Sequence, residues 1–265
     1  MLENGYHTLE MIMQSISLCD EVSLEKADAL CVDCPGVPQQ KNTAYCAAKL
    51  FFESSGIAGG AAIRIKKRIP REAGLGGGSA DAAATLLGLN QLYGFPLSEE
   101  ALAALALKIG ADAPFFLKGG CQQCLGVGEV LCPVENNLSP HYLVLQPKSG
   151  VSTPAAYQKY DELGGAHGEL AACKAALAAA NLPAFSAASC NSLEQAALAL
   201  CPEIEDTLAF LREHAKYAFM TGSGSACVGI FLEEQPAHAA LEKAKRLFPF
   251  AALAQNRPTG IEKLQ

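Results

Sequence analysis

The sequence predicts an α+β fold in two lobes with a cleft between them. Three observations carry that expectation. A stretch with strand periodicity runs through a glycine-dense loop into a helix-forming stretch over residues 61–93. A second glycine and serine loop, Thr221-Gly-Ser-Gly-Ser-Ala226, lies between two short apolar runs. Strand and helix signals are mixed along the chain without the strict alternation of a βαβ architecture.

Element by element, Ile12, Ile16, Leu18, Val22 and Leu24 sit mostly at even spacing, as in strands with one face buried. Thr43 to Phe52 reads as a helix with Ala44, Ala47, Ala48 and Phe51 along one stripe. Ile63, Ile65 and Ile69 then alternate with Arg64, Lys66 and Arg68, the period of two of a half-buried strand. Ala80 to Tyr93 is rich in Ala and Leu and reads as a helix, ended by Gly94-Phe-Pro96. Ser98 is an N-cap followed by Glu99 and Glu100 in the first turn, and that helix runs to Gly110.

Gly110-Ala-Asp112-Ala-Pro114-Phe-Phe is expected to turn into a further strand, because Pro114 biases Ala113 to an extended conformation. Cys121 to Pro133 and Tyr142 to Gln146 are strand candidates. After Ser152-Thr153-Pro154 the chain is mainly helical until Phe219. Strands flanking the loop at 221–226, a helix over 236–247 and a short strand near 250–255 complete it. The polar, Pro-bounded stretch 134–141 divides an expected domain 1–135 from another at 136–265.

Composition narrows the function. A chain of 265 residues can bury a large core, and 18% charged residues is ordinary soluble usage. A formal net charge of −7 argues against a nucleic-acid surface, so an anionic small molecule would be met by local positive groups and helix ends. No apolar run is long enough to span a bilayer, and the N-terminal residues resemble no signal peptide, so a cytoplasmic protein is expected. Cys-x-x-Cys spacing occurs twice among the 11 cysteines, at Cys31/Cys34 and Cys121/Cys124. The second pair falls in a strand, where i and i+3 point to opposite faces, and the expectation is reduced thiols rather than zinc.

The loop Pro70-Arg71-Glu72-Ala73-Gly74-Leu75-Gly76-Gly77-Gly78-Ser79-Ala80 holds four glycines within five residues. Strand, glycine loop and helix bring backbone N–H groups up to phosphate, with the helix dipole favouring an anion. A dinucleotide fingerprint is excluded by spacing: from Gly74 its third glycine falls on Ser79, and from Gly76 on Asp81. A P-loop is excluded because no Gly-Lys pair exists. The expected occupant is a nucleoside triphosphate.

Asp112 is the candidate catalytic group. It follows a helix end, has no neighbouring cation in sequence, and could accept a hydroxyl proton during phosphoryl transfer. An Asx turn after Gly110 explains the local sequence equally well. Asn4-Gly5-Tyr6-His7 sets an aromatic beside an imidazole, a pair able to stack on a planar base; taken alone, a surface turn is the better reading. The loop at 221–226 is a second amide nest or an ordinary hairpin turn.

Together these motifs resemble the GHMP kinase superfamily over nearly the whole chain, and within it the branch acting on 4-diphosphocytidyl-2-C-methyl-D-erythritol. Asn4 to His7 is similar to that branch's Asp-Gly-Tyr-His, Lys67 to Ala83 to its ATP loop, and Gly110 to Phe116 to its Gly-Ala-Asp-x-Pro-Phe-Phe. Asn191-Ser-Leu-Glu194 and Thr221 to Ala226 resemble its C-terminal motifs. The resemblance implies a ribosomal S5 domain 2-like N-terminal lobe and a ferredoxin-like C-terminal lobe. It implies Mg²⁺-ATP as phosphoryl donor, Asp112 as base, and residues 70–80 with Lys67 at the nucleotide. Tyr6 and His7 would lie on the cytosine and Gly222, Ser223 and Gly224 on the substrate side. The Mg²⁺ ligands stay unassigned, with Ser79 as a guess, and few carboxylates other than the base are expected nearby. A small-molecule substrate is implied, bound by a monomer or homodimer.

Two departures from the pattern stand out. The family opens on a strand carrying Ala-Lys-Ile-Asn-Leu, whose lysine partners the catalytic aspartate, and roughly twenty residues including it are expected to be missing here. Ser189 stands near Asn191 where some relatives carry an aromatic. The alternatives are therefore another small-alcohol kinase, of homoserine or mevalonate type, or a nucleotide-binding piece with impaired catalysis.

Overall fold

The computed structural model describes residues 9–264. The first lobe runs β1 (Leu9–Gln14), β2 (Glu21–Ala27), β3 (Cys31–Asp33), α1 (Thr43–Ser55), β4 (Gly60–Lys66), α2 (Gly77–Leu92), α3 (Glu99–Ile109), α4 (Ala113–Lys118), β5 (Cys121–Gly126) and β6 (Val130–Pro133). The second runs β7 (His141–Gln146), α5 (Thr153–Leu163), α6 (Leu170–Ala178), α7 (Leu182–Ala188), α8 (Glu194–Leu200), α9 (Glu203–His214), β8 (Tyr217–Met220), β9 (Cys227–Phe231), α10 (Glu234–Ala244) and β10 (Phe250–Ala254).

The first lobe has two three-stranded sheets, ordered β1-β5-β6 and β2-β4-β3. β4 alternates as its sequence requires, with Ile63 and Ile65 buried and Arg64 and Lys66 exposed. Those isoleucines meet the predicted stripe of α1, Ala44, Ala47, Ala48 and Phe51, together with Leu86 and Leu89 of α2. Small residues on α1 let it lie close to α2, so the glycine loop leaves a rigid floor.

The second lobe's sheet is ordered β10-β7-β9-β8 and antiparallel throughout. Numbered within that lobe the order is 4-1-3-2, the split-βαβ arrangement of ferredoxin-like folds. Both faces are covered. Leu143 and Leu145 of β7 pack with Ile204, Leu208 and Leu211 of α9. Tyr142 and Val144, on the opposite face, pack with Val228 and Ile230 and with Ile12 of β1, Ala73 and Leu75. That third cluster joins the lobes, and two residues of the glycine loop are part of it.

Two expectations change. Ala113 to Lys118 is a helix, not a strand, with Pro114 in its first turn. Proline is pre-organised for that position, where its missing N–H would have no partner, and this outweighs its bias on the preceding residue. The last helix ends at Ala244, short of residue 247. The chain beyond β10 also turns back to the first lobe: Arg257 N donates to Ser15 O at 2.8 Å, and Gly260 lies against Gly119 and Phe116.

Candidate active site

The glycine loop leads into a helix N-terminus that no side chain caps. Gly76 is the N-cap of α2, at φ +65° in the left-handed region, and contributes no side chain to the cap. Ala80 N donates to Gly76 O at 2.9 Å, which leaves the amides of Gly77, Gly78 and Ser79 without partners among the described residues. Gly78 O accepts from Thr43 Oγ1 at 2.6 Å, tying that first turn to the start of α1. N–H groups without partners among the described residues, at the positive end of a 16-residue helix, are the donor set that suits an anion.

Asp112 is in the same neighbourhood. Ser79 Oγ lies 3.6 Å from where a Cβ on Gly110 would sit, and the Phe116 ring is 2.6 Å from the Cβ position of Gly76. Gly110 and Phe116 bracket Asp112 in sequence, so the turn carrying the carboxylate is folded onto the first turn of α2. The Asp112 side chain does not cap its own helix. Burial raises its pKa, and no described cation opposes the shift. Its charge in turn raises the pKa of Tyr157 on α5, behind the larger effect of burial. It does the same to Cys124 on β5, whose thiol is pushed up to about 12, mainly by burial. The charge of Asp112 is thus felt in both lobes.

Lys67 is held differently from what its sequence position suggests. Its Nζ bonds Asp81 Oδ2 of α2 at 2.7 Å and also bonds Asp20, in the β1–β2 turn. The expectation of few carboxylates here is therefore corrected by two buried ones. Burial works against the Lys67 ammonium, but its bonds to Asp20 and Asp81 outweigh it and raise the pKa. Burial drives Asp81 up to about 6 although Lys67 opposes it. Both directions reflect one ammonium serving two carboxylates. Asp81 is the under-compensated member, and its Oδ1 has no hydrogen-bond partner among the described residues. Asp81 could be placed from local pattern, one helical turn beyond Gly77, but Asp20 could not, being 47 residues from Lys67.

The second glycine loop docks on the first. Ser225 N donates to Glu72 O and Ala226 N to Ala73 O, both at 3.2 Å, and Thr221 Oγ1 donates to Gly74 O at 3.3 Å. Val151 N adds a bond to Glu72 O and Gln146 Nε2 one to Arg71 O, so four successive carbonyls, 71 to 74, are held by the second lobe. Arg71 itself reaches the carbonyls of Pro35 and Gly36. Ser223 and Gly224 are buried, with Ser223 Oγ 2.9 Å from Thr153 Oγ1, while Gly222 is exposed. Tyr6 and His7 lie outside the described residues. No group of three or more His, Cys, Asp or Glu side chains able to hold a metal occurs among the described residues.

Known proteins match this chain along most of its length. The profile described as GHMP kinases N terminal domain matches residues 42–120, and GHMP kinases C terminal matches 173–249. A 4-diphosphocytidyl-2-C-methyl-D-erythritol kinase of Deinococcus radiodurans is 39% identical over 97% of this chain and 84% of its own length. The chain belongs to the GHMP kinase family. As a GHMP kinase it is a phosphotransferase, and its fold agrees with crystal structures of that family. That of 4-(cytidine 5'-diphospho)-2C-methyl-D-erythritol kinase superposes with a TM-score of 0.81 at 35% identity, covering 96% of this chain and 92% of its own. A homoserine kinase from Cytophaga hutchinsonii superposes at 0.74 over 98% of both chains. At 16% identity, that likeness extends to the fold alone. No helix among the described residues is long and apolar enough to cross a membrane.

Proposed function

We propose that this GHMP kinase transfers the γ-phosphoryl group of ATP to the C2 hydroxyl of 4-diphosphocytidyl-2-C-methyl-D-erythritol, a step of non-mevalonate isoprenoid precursor synthesis. The observation that carries the reading is the uncapped first turn of α2 folded against the turn that bears Asp112. Residues Pro70 to Ala80 take the triphosphate, with the amides of Gly77, Gly78 and Ser79 on its oxygens. Charge developing on the transferred group is met by donors already in place.

Asp112 accepts the proton of the attacking hydroxyl. As the new O–P bond forms, the bond from the γ-phosphorus to the ADP oxygen breaks and ADP departs. Burial suits Asp112 to this task, since a carboxylate with a raised pKa is a stronger base. Hard oxygen donors suit Mg²⁺, and the Ser79 hydroxyl at this turn is the group we assign to it; the ion would neutralise phosphate charge. The cytosine falls to Tyr6 and His7, and the substrate side of the second loop to Gly222, with Ser223 and Gly224 supporting it. A division near residue 135 assigns ATP to the first lobe. The enzyme is taken to be cytoplasmic, a monomer or homodimer, acting on a small molecule with no nucleic acid or membrane.

The test is ADP release followed by a coupled assay with each acceptor in turn. Release that depends on the diphosphocytidyl substrate is expected, falling in Tyr6→Ala and His7→Ala while ATP binding persists. Turnover of homoserine or mevalonate instead, or of none of the three, would overturn the reading.

A further inference from the structure

We propose that Asp20 is a positioning residue for the nucleotide loop, acting through Lys67 and through the backbone at the end of β4. The inference rests on the kinase reading above and adds to it a residue from a distant part of the chain. An amide cradle is useful only if both of its ends are fixed, because small displacements of positioned groups are expensive. The exit end is fixed by α2 itself. The other end, residues 67–69, lies beyond the last ladder pair of β4, Lys66 with Glu21, and needs another anchor.

Asp20 supplies it. Its side chain is 3% exposed, and it follows β1 in the turn leading to β2. Oδ1 accepts from the backbone N–H groups of Arg68 and Ile69, the latter at 2.8 Å. Oδ2 accepts from Lys67 Nζ. The same ammonium crosses to Asp81 on the second turn of α2. Asp20, Lys67 and Asp81 therefore span the loop from its start to its helix. The tie reaches the cradle itself, since Lys67 Nζ is 3.4 Å, and Ile69 Cγ2 2.9 Å, from the Cβ position of Gly77.

This geometry changes what Lys67 does. Two of its three donors are committed to carboxylates, so it is not a free counter-charge for phosphate. Its charge is balanced within the protein, and what it contributes is geometry. A buried pair of this kind is costly to break because one member is left uncompensated. The orphan oxygen of Asp81 shows the balance is already tight. Three hydrogen bonds are lost when the Asp20 side chain is removed, and Lys67 is then drawn toward Asp81 alone.

The test is a double-mutant cycle read by calorimetric titration with a non-hydrolysable ATP analogue, alongside steady-state kinetics. Asp20→Ala and Lys67→Met should each weaken nucleotide binding about tenfold, within the range that misplacement of a binding group costs. The double variant should be no weaker than the worse single, because the two act as one unit. KM for the diphosphocytidyl substrate should change by less than about twofold, whereas a purely structural defect moves both constants. Leu208→Val, in the second lobe's core, is the control for lost stability without lost affinity. If Asp20→Ala does not fold, amide exchange on the wild-type protein decides: Arg68 and Ile69 should be protected without nucleotide. Unaltered binding in Asp20→Ala, losses that multiply in the double variant, or fast exchange at Arg68 and Ile69 would each overturn this proposal alone. Wild-type protein that bound no nucleotide would overturn the kinase reading, and this proposal with it.

Discussion

The two glycine loops are nearly alike in composition and differ in what most of their amides do. Gly74 to Ser79 runs into α2 and leaves three amides at the helix N-terminus without partners among the described residues. Thr221 to Ala226 closes the β8–β9 hairpin, and its amides at Gly224, Ser225 and Ala226 are all consumed, on Thr221 O, Glu72 O and Ala73 O. Glycine content alone therefore does not identify a phosphate site; the element into which the loop leads does. The first turn of a helix leaves its donors over, whereas this hairpin spends three of its amides on chain carbonyls. In this protein the second loop holds the carbonyls of the first, which keeps the bend rigid.

The sharpest way to break the comparison is at the contact between the loops. A Cβ on Gly74 would lie 2.1 Å from Thr221 O, at a backbone φ of +68°. Gly74→Ala should cost about 3 kcal/mol, combining overpacking with left-handed strain. Nucleotide affinity should fall with it, which a thermal melt and an analogue titration would record together. A variant as stable as wild type would show that the loops do not bear on one another.

Asp112 offers a middle-sized effect of opposite sign. Its folded pKa lies above the ordinary carboxylate value, so the folded state holds this proton where the unfolded state has released it. Its contribution to stability is greatest below the unfolded value and declines as pH rises between the two values, leaving a constant cost above them. Asp112→Asn should therefore melt higher than wild type at neutral pH, and the difference should shrink in acid. Equal melts throughout would mean the burial cost is compensated. The smallest effect is expected in the second loop. Ser223→Ala removes one hydroxyl contact to Thr153, worth about 1 kcal/mol, and should leave ATP affinity within about twofold. A large loss of ATP affinity would make the second loop a phosphate binder in its own right.

Much of this molecule was legible from local pattern. The alternation of Ile63 and Ile65, the stripe on α1 and the Ser98 cap each depend on residues a few places apart, and each appears in the structure. Pro114 misled because two local effects compete at one residue, and its fit to a first helical turn won. Asp20 had no signal at all. Its partners at 67 to 69 are brought to it by the β2–β4 register, which no window of sequence contains. The docking of the second loop was likewise invisible, because a hairpin turn and an amide nest look the same until their acceptors are known.

The central claim is that α2's first turn grips the polyphosphate while Asp112, beside it, takes the hydroxyl proton. Single-turnover phosphoryl transfer by Asp112→Asn, with ATP-analogue affinity measured on the same sample, tests it most directly. Transfer should fall by about a thousandfold or more while affinity stays within a few-fold, since a general base and the donors around it contribute factors of that order. Transfer at the wild-type rate would contradict the account, and so would a collapse of nucleotide binding when only that proton acceptor has been removed.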